Sequence, residues 1–189
     1  MVRWGVLGLG RAANSFANAI KEVENAKLTS IASLSKNRNL IFSEKFNIEK
    51  NCIFDTYEEL LNCKEIDAVY IATLNNKHAD LIIKAAKAKK GILCEKPMTL
   101  TAIETKQVFS QLHESKVFFL EAIAYRSHPQ TIEITNQISS NEIGDVIKIE
   151  SSFGFRVNQL LKLKPRHRLF NKKLGGGAIN DVGCYPVSL

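Results

Sequence analysis

Behind the short apolar run from Arg3 to Leu7 stands Gly8-Leu9-Gly10-Arg11-Ala12-Ala13, a G-x-G-x-x-A pattern that leaves few folds open. Phe16, Ile20 and Val23 then recur at helical spacing, and Leu28 to Leu34 returns to apolar, β-rich sequence. Strand, glycine turn, helix and strand make a β-α-β unit, which joins two parallel strands by a right-handed crossover. In such a unit the glycines allow a tight turn and a close backbone approach to an anion at the positive end of the helix, and small Ala13 lets helix pack on strand. A glycine turn occurs in any α/β protein. Its placement between a strand and a helix is what makes Gly8, Leu9, Gly10, Arg11 and Ala12 candidate contacts to a dinucleotide pyrophosphate.

The alternation continues beyond this unit. The pattern predicts a helix over Leu40 to Phe46, a short strand over Cys52 to Phe54, and a helix opening with the capping box Thr56-x-x-Glu59. Asp67 to Thr73 reads as a fully buried parallel strand, and His78 to Lys90 as a helix with the stripe Leu81, Ile82, Ala85, Ala86, stopped by Gly91. A strand at Ile92 to Cys94, a helix from Thr101-x-x-Glu104 to about Glu114 and a strand at Val117 to Leu120 follow. The expected fold class is therefore α/β, a doubly wound parallel Rossmann sheet over residues 1–121. After that the rhythm changes. A helix is expected from Pro129 to Ser139 and a strand over Val146 to Phe155. An irregular basic stretch then runs to Lys173, and Gly175-Gly176-Gly177-Ala178-Ile179-Asn180-Asp181 leads into a helix. Residues 122–189 read as the start of an α+β substrate domain that is not completed.

With 45% hydrophobic and 24% charged residues among 189, the chain can bury a core and is not disordered. The net charge of +7 suits an anionic partner, but the lysines are scattered, which fits solubility better than a binding surface. Lys162, Lys164, Arg166, Arg168, Lys172 and Lys173, with Phe170 among them, form the one dense basic segment. Nucleic acid could bind only there, and an anionic or hydroxyl-rich substrate or a solvated loop explains it with less, so no nucleic-acid partner is expected. Cys52, Cys63, Cys94 and Cys184 lie far apart with no C-x-x-C pair, which reads as reduced thiols in a cytoplasmic protein with neither disulfides nor metal. The apolar N-terminus is too short to span a bilayer and carries no leader pattern, and no membrane partner is expected.

Rossmann enzymes specific for NAD place an acid at the end of the second strand, whereas NADP needs cations or hydroxyls there for its 2′-phosphate. Ser33-Leu34-Ser35-Lys36-Asn37-Arg38 contains no acid. Ser35, Lys36 and Arg38 are the candidate phosphate contacts, and NADP is favoured over NAD; a plain exposed turn is the alternative.

Three further segments accompany the glycine motif: Asp67-Ala68-Val69-Tyr70-Ile71-Ala72-Thr73-Leu74-Asn75-Asn76-Lys77-His78, Cys94-Glu95-Lys96-Pro97, and Gly175-Gly176-Gly177-Ala178 with Asp181, Gly183 and Tyr185. In this order the chain resembles the glucose-fructose oxidoreductase, inositol dehydrogenase and MocA (Gfo/Idh/MocA) family. Glu121-Ala122, Tyr125-Arg126-Ser127-His128-Pro129 and Asp181-Val182-Gly183-Cys184-Tyr185-Pro186 look most like its dihydrodiol and NADP-dependent D-xylose dehydrogenase branch. The resemblance implies hydride transfer between a nicotinamide and a CH–OH carbon of a sugar, polyol or cyclic diol. It also implies a homo-oligomeric full-length form.

By that resemblance Lys96 contacts the reacting oxygen, Glu95 and Pro97 shape the strand end around a cis Lys-Pro bond, and Tyr185 stands where many members have histidine. Tyr185 becomes the expected acid/base, with Asp181 anchoring substrate or lysine. A phenol titrates near ~10, and Lys96 together with an oxidised nicotinamide would lower it. The alternative for Tyr185 is a half-buried helix aromatic, and for Asp181 a helix N-terminal charge. Thr73, Asn75 and His78 lie in the turn that the family uses against cofactor, although His78 could simply cap its helix, and Leu74 replaces a common proline. Arg126 and His128 are expected to serve the domain crossover more than the substrate. A binding remnant or sensor without turnover is the rival reading.

Overall fold

A computed structural model describes residues 1–156 and 167–189. Its elements are β1 (Val2–Leu7), α1 (Arg11–Ala19), β2 (Ala26–Ala32), α2 (Lys36–Phe46), β3 (Ile53–Phe54), α3 (Tyr57–Asn62), β4 (Ala68–Ile71), α4 (His78–Lys87), β5 (Gly91–Glu95), α5 (Ala102–Ser115), β6 (Phe119–Ala122), α6 (Pro129–Ser139) and α7 (Cys184–Ser188). The six strands form one sheet in the order β3-β2-β1-β4-β5-β6. Every pairing is parallel, with Val6 opposite Ile31 on one side and Tyr70 on the other.

Each face of the sheet has its own core. Leu60, Leu81, Ile82, Ala85, Ala86 and Val108 of α3, α4 and α5 pack on Leu7, Val69, Ile71 and Ile92, all fully buried. On the opposite face Ala13 and Ala17 of α1 and Phe42 of α2 meet Val6, Ile31 and Tyr70. Buried strands covered on both faces read as continuous apolar runs, which is why β4 was legible. The strand order reverses direction between β1 and β4, so their C-terminal ends diverge and open a crevice at that switch point.

Element boundaries differ from expectation where polar residues carry the geometry. The capping box of α3 is present, with Thr56 and Glu59 exchanging bonds of 3.2 Å each. Helix α2 begins at Lys36, one polar turn before its apolar stripe starts. Gly91, expected as the stop of α4, is instead the first residue of β5, and the left-handed residue after α4 is Lys89 at φ 59°. Lys90 stabilises that exit by donating two bonds of 2.7 Å to the carbonyls of Cys63 and Ile66.

The expected strand over Val146 to Phe155 is not formed. The alternating pattern supplies an apolar face, but a strand exists only as part of a paired ladder, and none of the described strands pairs with this stretch. Ile147 is 97% exposed and Phe155 58%. The Pro129 to Ser139 helix is present as α6. The final glycine-rich segment leads through a wide π-helical turn, Ile179–Gly183, into α7. Lys162, Lys164 and Arg166 of the basic segment lie outside the described residues.

Candidate active site

The crevice at the switch point is a cleft of about 480 Å³. It is lined by Gly8, Leu9, Gly10, Arg11, Ala12, Ser35, Arg38, Thr73, Asn75, Glu95, Lys96 and Asp181, all singled out from the sequence, together with Ser33, Tyr57 and Arg168. Gly8 takes φ +86°, and a Cβ there would sit 2.8 Å from the carbonyl oxygen of Ala72. Only glycine permits β1 to turn so close to the end of β4. Gly10 is different: its φ of −93° suits any residue, but among the described residues nothing lies within 4 Å of where its Cβ would be. That open space faces the first turn of α1, whose amides have no side-chain cap among the described residues. A free helix N-terminus beside an unfilled hollow fits an anionic pyrophosphate.

At the other end of the cleft, the turn after β2 is held by Asn39. Its amide donates to the carbonyls of Ser33 at 3.2 Å and Phe54 at 3.0 Å, and to Asp55 Oδ1 at 3.2 Å. The Ser35 amide also donates to Ser33 Oγ at 3.2 Å. This presents Ser35 and Arg38 to the cleft but not Lys36, whose side chain is 90% exposed and whose Nζ lies 3.9 Å from Asp55. Because α2 starts at Lys36, that side chain leaves the helix in a direction its neighbours in sequence do not share. Tyr57, the first residue of α3, closes this end, and burial raises its hydroxyl above the ordinary phenol value.

The reacting residues gather over the ends of β4 and β5. Lys96 Nζ lies 3.5 Å from Asp181 Oδ1 and also donates to the Asp181 backbone carbonyl. The ammonium sits 5.1 Å from the centroid of the Tyr185 ring, over its face and not at its hydroxyl. The expected lowering of the Tyr185 titration is not produced by the protein's own groups. Burial raises it first, and the charge of Glu95 adds to the rise, so the phenol is held protonated. Tyr185 does not itself line the cleft, whereas its partners Lys96 and Asp181 do.

The final segment reaches this place through close backbone contacts. Gly175, at φ +78°, lies where a Cβ would come 2.7 Å from Asn75 Cβ and from Leu100 Cδ2. Asn75 donates to the Gly175 carbonyl at 2.9 Å and Asn76 to that of Lys173 at 3.0 Å. The turn after β4 therefore carries the glycine-rich segment as well as facing the cleft.

His78 does not line the cleft. It is fully buried, with Nδ1 2.8 Å from the Pro97 carbonyl and Nε2 3.4 Å from that of Thr73. Burial lowers its titration, and the imidazole then has one N–H, which the shorter contact assigns to Nδ1, so that His78 ties the start of α4 to the loop after β5. The Lys96–Pro97 bond is cis. Glu121 accepts from the Met98 amide at 2.7 Å, and Tyr70 donates to Glu95 Oε1 at 2.5 Å. These residues fall within the quoted segments, but nothing in the segments announced the pairings. The only signal available was a polar side chain within an otherwise apolar buried strand or helix.

Arg126 donates to the Ser188 carbonyl at 2.9 Å, Tyr125 shares a 2.9 Å hydroxyl contact with Ser188, and His128 accepts from the Gln130 amide to cap α6. All three serve the crossover. A second cleft of about 550 Å³, walled by Phe153, Phe155, Leu169 and Phe170, adjoins the first through Asp181.

Fold and site together define a Rossmann dinucleotide-binding protein whose cleft ends on a lysine and an aspartate, with a tyrosine packed behind the lysine. The sequence matches the oxidoreductase family with an NAD-binding Rossmann fold of the Gfo/Idh/MocA group over residues 2–122, and that group's C-terminal domain over residues 131–189. The chain belongs to the Gfo/Idh/MocA family. It is 32% identical over 188 residues to a trans-1,2-dihydrobenzene-1,2-diol dehydrogenase of Danio rerio, covering 98% of this chain and 54% of that protein. It is 34% identical over 189 residues to a D-xylose 1-dehydrogenase (NADP+) of Haloferax volcanii, covering 98% and 55%. Among solved structures it resembles a variant of a 3-ketoreductase from Actinomadura kijaniata in complex with TDP-benzene and NADP, at TM-score 0.68 and 28% identity over 77% of this chain and 44% of that one. The chain thus spans about half the length of the curated relatives it matches. Among the described residues no helix is long and apolar enough to cross a membrane.

Proposed function

We propose that this chain forms the dinucleotide-binding and reacting part of an NADP-preferring dehydrogenase acting on a CH–OH group of a sugar, polyol or cyclic diol. The carrying observation is one continuous cleft. It runs from Arg38 and Ser35, past the open hollow over Gly10, to Lys96 and Asp181. Ser35 and Arg38 would hold a 2′-phosphate, the amides of α1 and the side chain of Arg11 a pyrophosphate, and Thr73, Asn75 and Glu95 the nicotinamide half. When bound, the nicotinamide gives or takes the hydride.

The chain's own part is charge and proton placement. Lys96, oriented by Asp181, points an ammonium at the position of the substrate oxygen and stabilises negative charge developing there. Tyr185, held protonated by burial in the chain alone, is the acid that supplies a proton to that oxygen in carbonyl reduction and is left as phenolate. Oxidation of CH–OH starts from that phenolate, which the positive charge of an oxidised nicotinamide would favour, and returns the proton to it. The apolar walls of the adjoining cleft suit the carbon face of a cyclic diol, with its hydroxyls turned toward Asp181.

Residues 122–189 are read as the opening of the substrate domain, and the full protein as a cytoplasmic homo-oligomer. The match to the group's C-terminal domain supports the first of these readings, and the four free thiols fit a reducing compartment. Fluorescence titration of the chain with NADPH and NADH tests the assignment. NADPH is expected to bind more tightly, and binding of neither would refute it. Binding of NADPH with no oxidation of any sugar or diol would favour the remnant or sensor reading.

A further inference from the structure

Glu95 stands at the reacting end of the cleft, beside Lys96. Among the described residues its carboxylate accepts a hydrogen bond from a single group, the hydroxyl of Tyr70, at 2.5 Å. Tyr70 belongs to β4 and is only 4% exposed. Its ring stacks on Phe16 with centroids 4.4 Å apart, and Phe16 in turn meets Trp4 at 5.4 Å, so the phenol has little freedom to turn. Burial and the neighbouring carboxylate drive its titration far above the ordinary phenol value, which makes it a permanent donor. Lys96, the nearest cation in sequence, is engaged elsewhere: its ammonium is shared between Asp181 Oδ1 and the Asp181 carbonyl. Arg11 and Arg38 line the phosphate-facing part of the cleft. Arg168 also lines the cleft, and among the described residues neither it nor Lys96 forms an ion pair with Glu95. The Glu95 carboxylate thus has a neutral hydroxyl as its hydrogen-bond partner, in the half of the cleft where the nicotinamide would lie.

An oxidised nicotinamide carries one positive charge and a reduced one carries none. A carboxylate pinned beside the ring distinguishes the two forms electrostatically, and in a partly desolvated cleft that difference is not screened away. We propose that Glu95, held in place by Tyr70 as a positioning residue, sets the preference of this site for the oxidised over the reduced cofactor. The inference rests on the dinucleotide reading above and adds to it the group that tunes the ratio of the two affinities.

Calorimetric titration of the chain with NADP+ and with NADPH tests it without turnover. Glu95→Gln keeps an acceptor for Tyr70 and removes the charge; the ratio of NADP+ to NADPH affinity should fall roughly tenfold, through NADP+ alone. Tyr70→Phe keeps the stacked ring and frees the carboxylate, and should shift the ratio in the same direction by roughly threefold, with a melting temperature ~3–12 °C lower for the lost hydrogen bond. Equal loss of both forms, or no change, in Glu95→Gln overturns the proposal. A shift in Glu95→Gln with none in a folded Tyr70→Phe overturns the role of Tyr70. Should Tyr70→Phe fail to fold, Glu95→Gln alone decides. Wild-type chain that binds neither form refutes the dinucleotide reading itself, an outcome distinct from binding with an unaltered ratio.

Discussion

Gly8 and Gly10 belong to one motif but do different physical work, and replacing each by alanine separates folding from binding. At Gly8 the new Cβ would lie 2.8 Å from the Ala72 carbonyl oxygen and 2.9 Å from Thr73 Cγ2, at φ +86°. A left-handed conformation costs an L-residue ~1–2 kcal/mol, and the overlap with backbone adds ~1–3 kcal/mol because β4 must move aside. A loss of about 3 kcal/mol lowers the melting temperature of a chain this size by ~6–12 °C. At Gly10 the backbone already suits alanine and the Cβ meets nothing, so the melting temperature should stay within ~2 °C of wild type. The same methyl occupies the hollow proposed for the pyrophosphate, and losing the charge-assisted bonds there weakens NADPH by ~10–100-fold. Circular dichroism melts and fluorescence titrations on the two variants supply both readouts. Gly8→Ala melting with wild type, or Gly10→Ala binding NADPH at wild-type affinity, would refute the reasoning.

Three further outcomes are expected. Arg38→Ala should weaken NADPH by roughly tenfold and leave NADH unchanged, while Lys36→Ala, which removes a side chain 90% exposed and turned to Asp55, should change neither; paired titrations check this. In an active form of the enzyme, Lys96→Met and Tyr185→Phe should each lower turnover of a sugar or diol by at least ~100-fold while NADPH binding persists, and steady-state kinetics with unchanged kcat in both would remove their assigned roles. Arg3 bonds Asp67 at 2.8 Å and holds its carboxyl down to about 2, so this pair contributes stability above the ordinary carboxylate range that is lost as pH falls from ~4 through that value. The pair is exposed, so Asp67→Asn should cost no more than ~1 kcal/mol at neutral pH, and its chemical denaturation curve should converge with wild type near pH 2.

The parallel sheet was legible because its signal is local and repeated. A buried parallel strand is apolar along its whole length, a surface helix shows its stripe every third or fourth residue, and the glycines of the first turn announce a geometry few residues allow. Boundaries slipped where polar residues fixed the chain end, as at the first turn of α2 or the Lys89 and Gly91 exit from α4. Val146 to Phe155 was misread for a deeper reason. Alternation records which face a strand would bury, but whether a strand forms depends on a ladder partner that the segment does not carry in its own residues.

The cleft follows the same division. Residue types at strand ends announced a dinucleotide floor, since a pyrophosphate needs close backbone amides whatever the surrounding fold. Direction was not announced: Lys36 and Arg38 are two residues apart, yet only Arg38 faces the cleft. His78 read as a cofactor contact or a helix cap and is a fully buried brace, while Tyr70 and Glu121, present in quoted segments without a role, and Asn39, outside them, hold the turns that present Glu95, Lys96 and Ser35. Lys96 meets Asp181 across 85 positions of sequence. Composition and spacing act over a few residues and so settle which elements form. Pairings at that separation exist only once the sheet has closed, and it is there that side-chain direction, charge balance and the protonation of Tyr185 were decided.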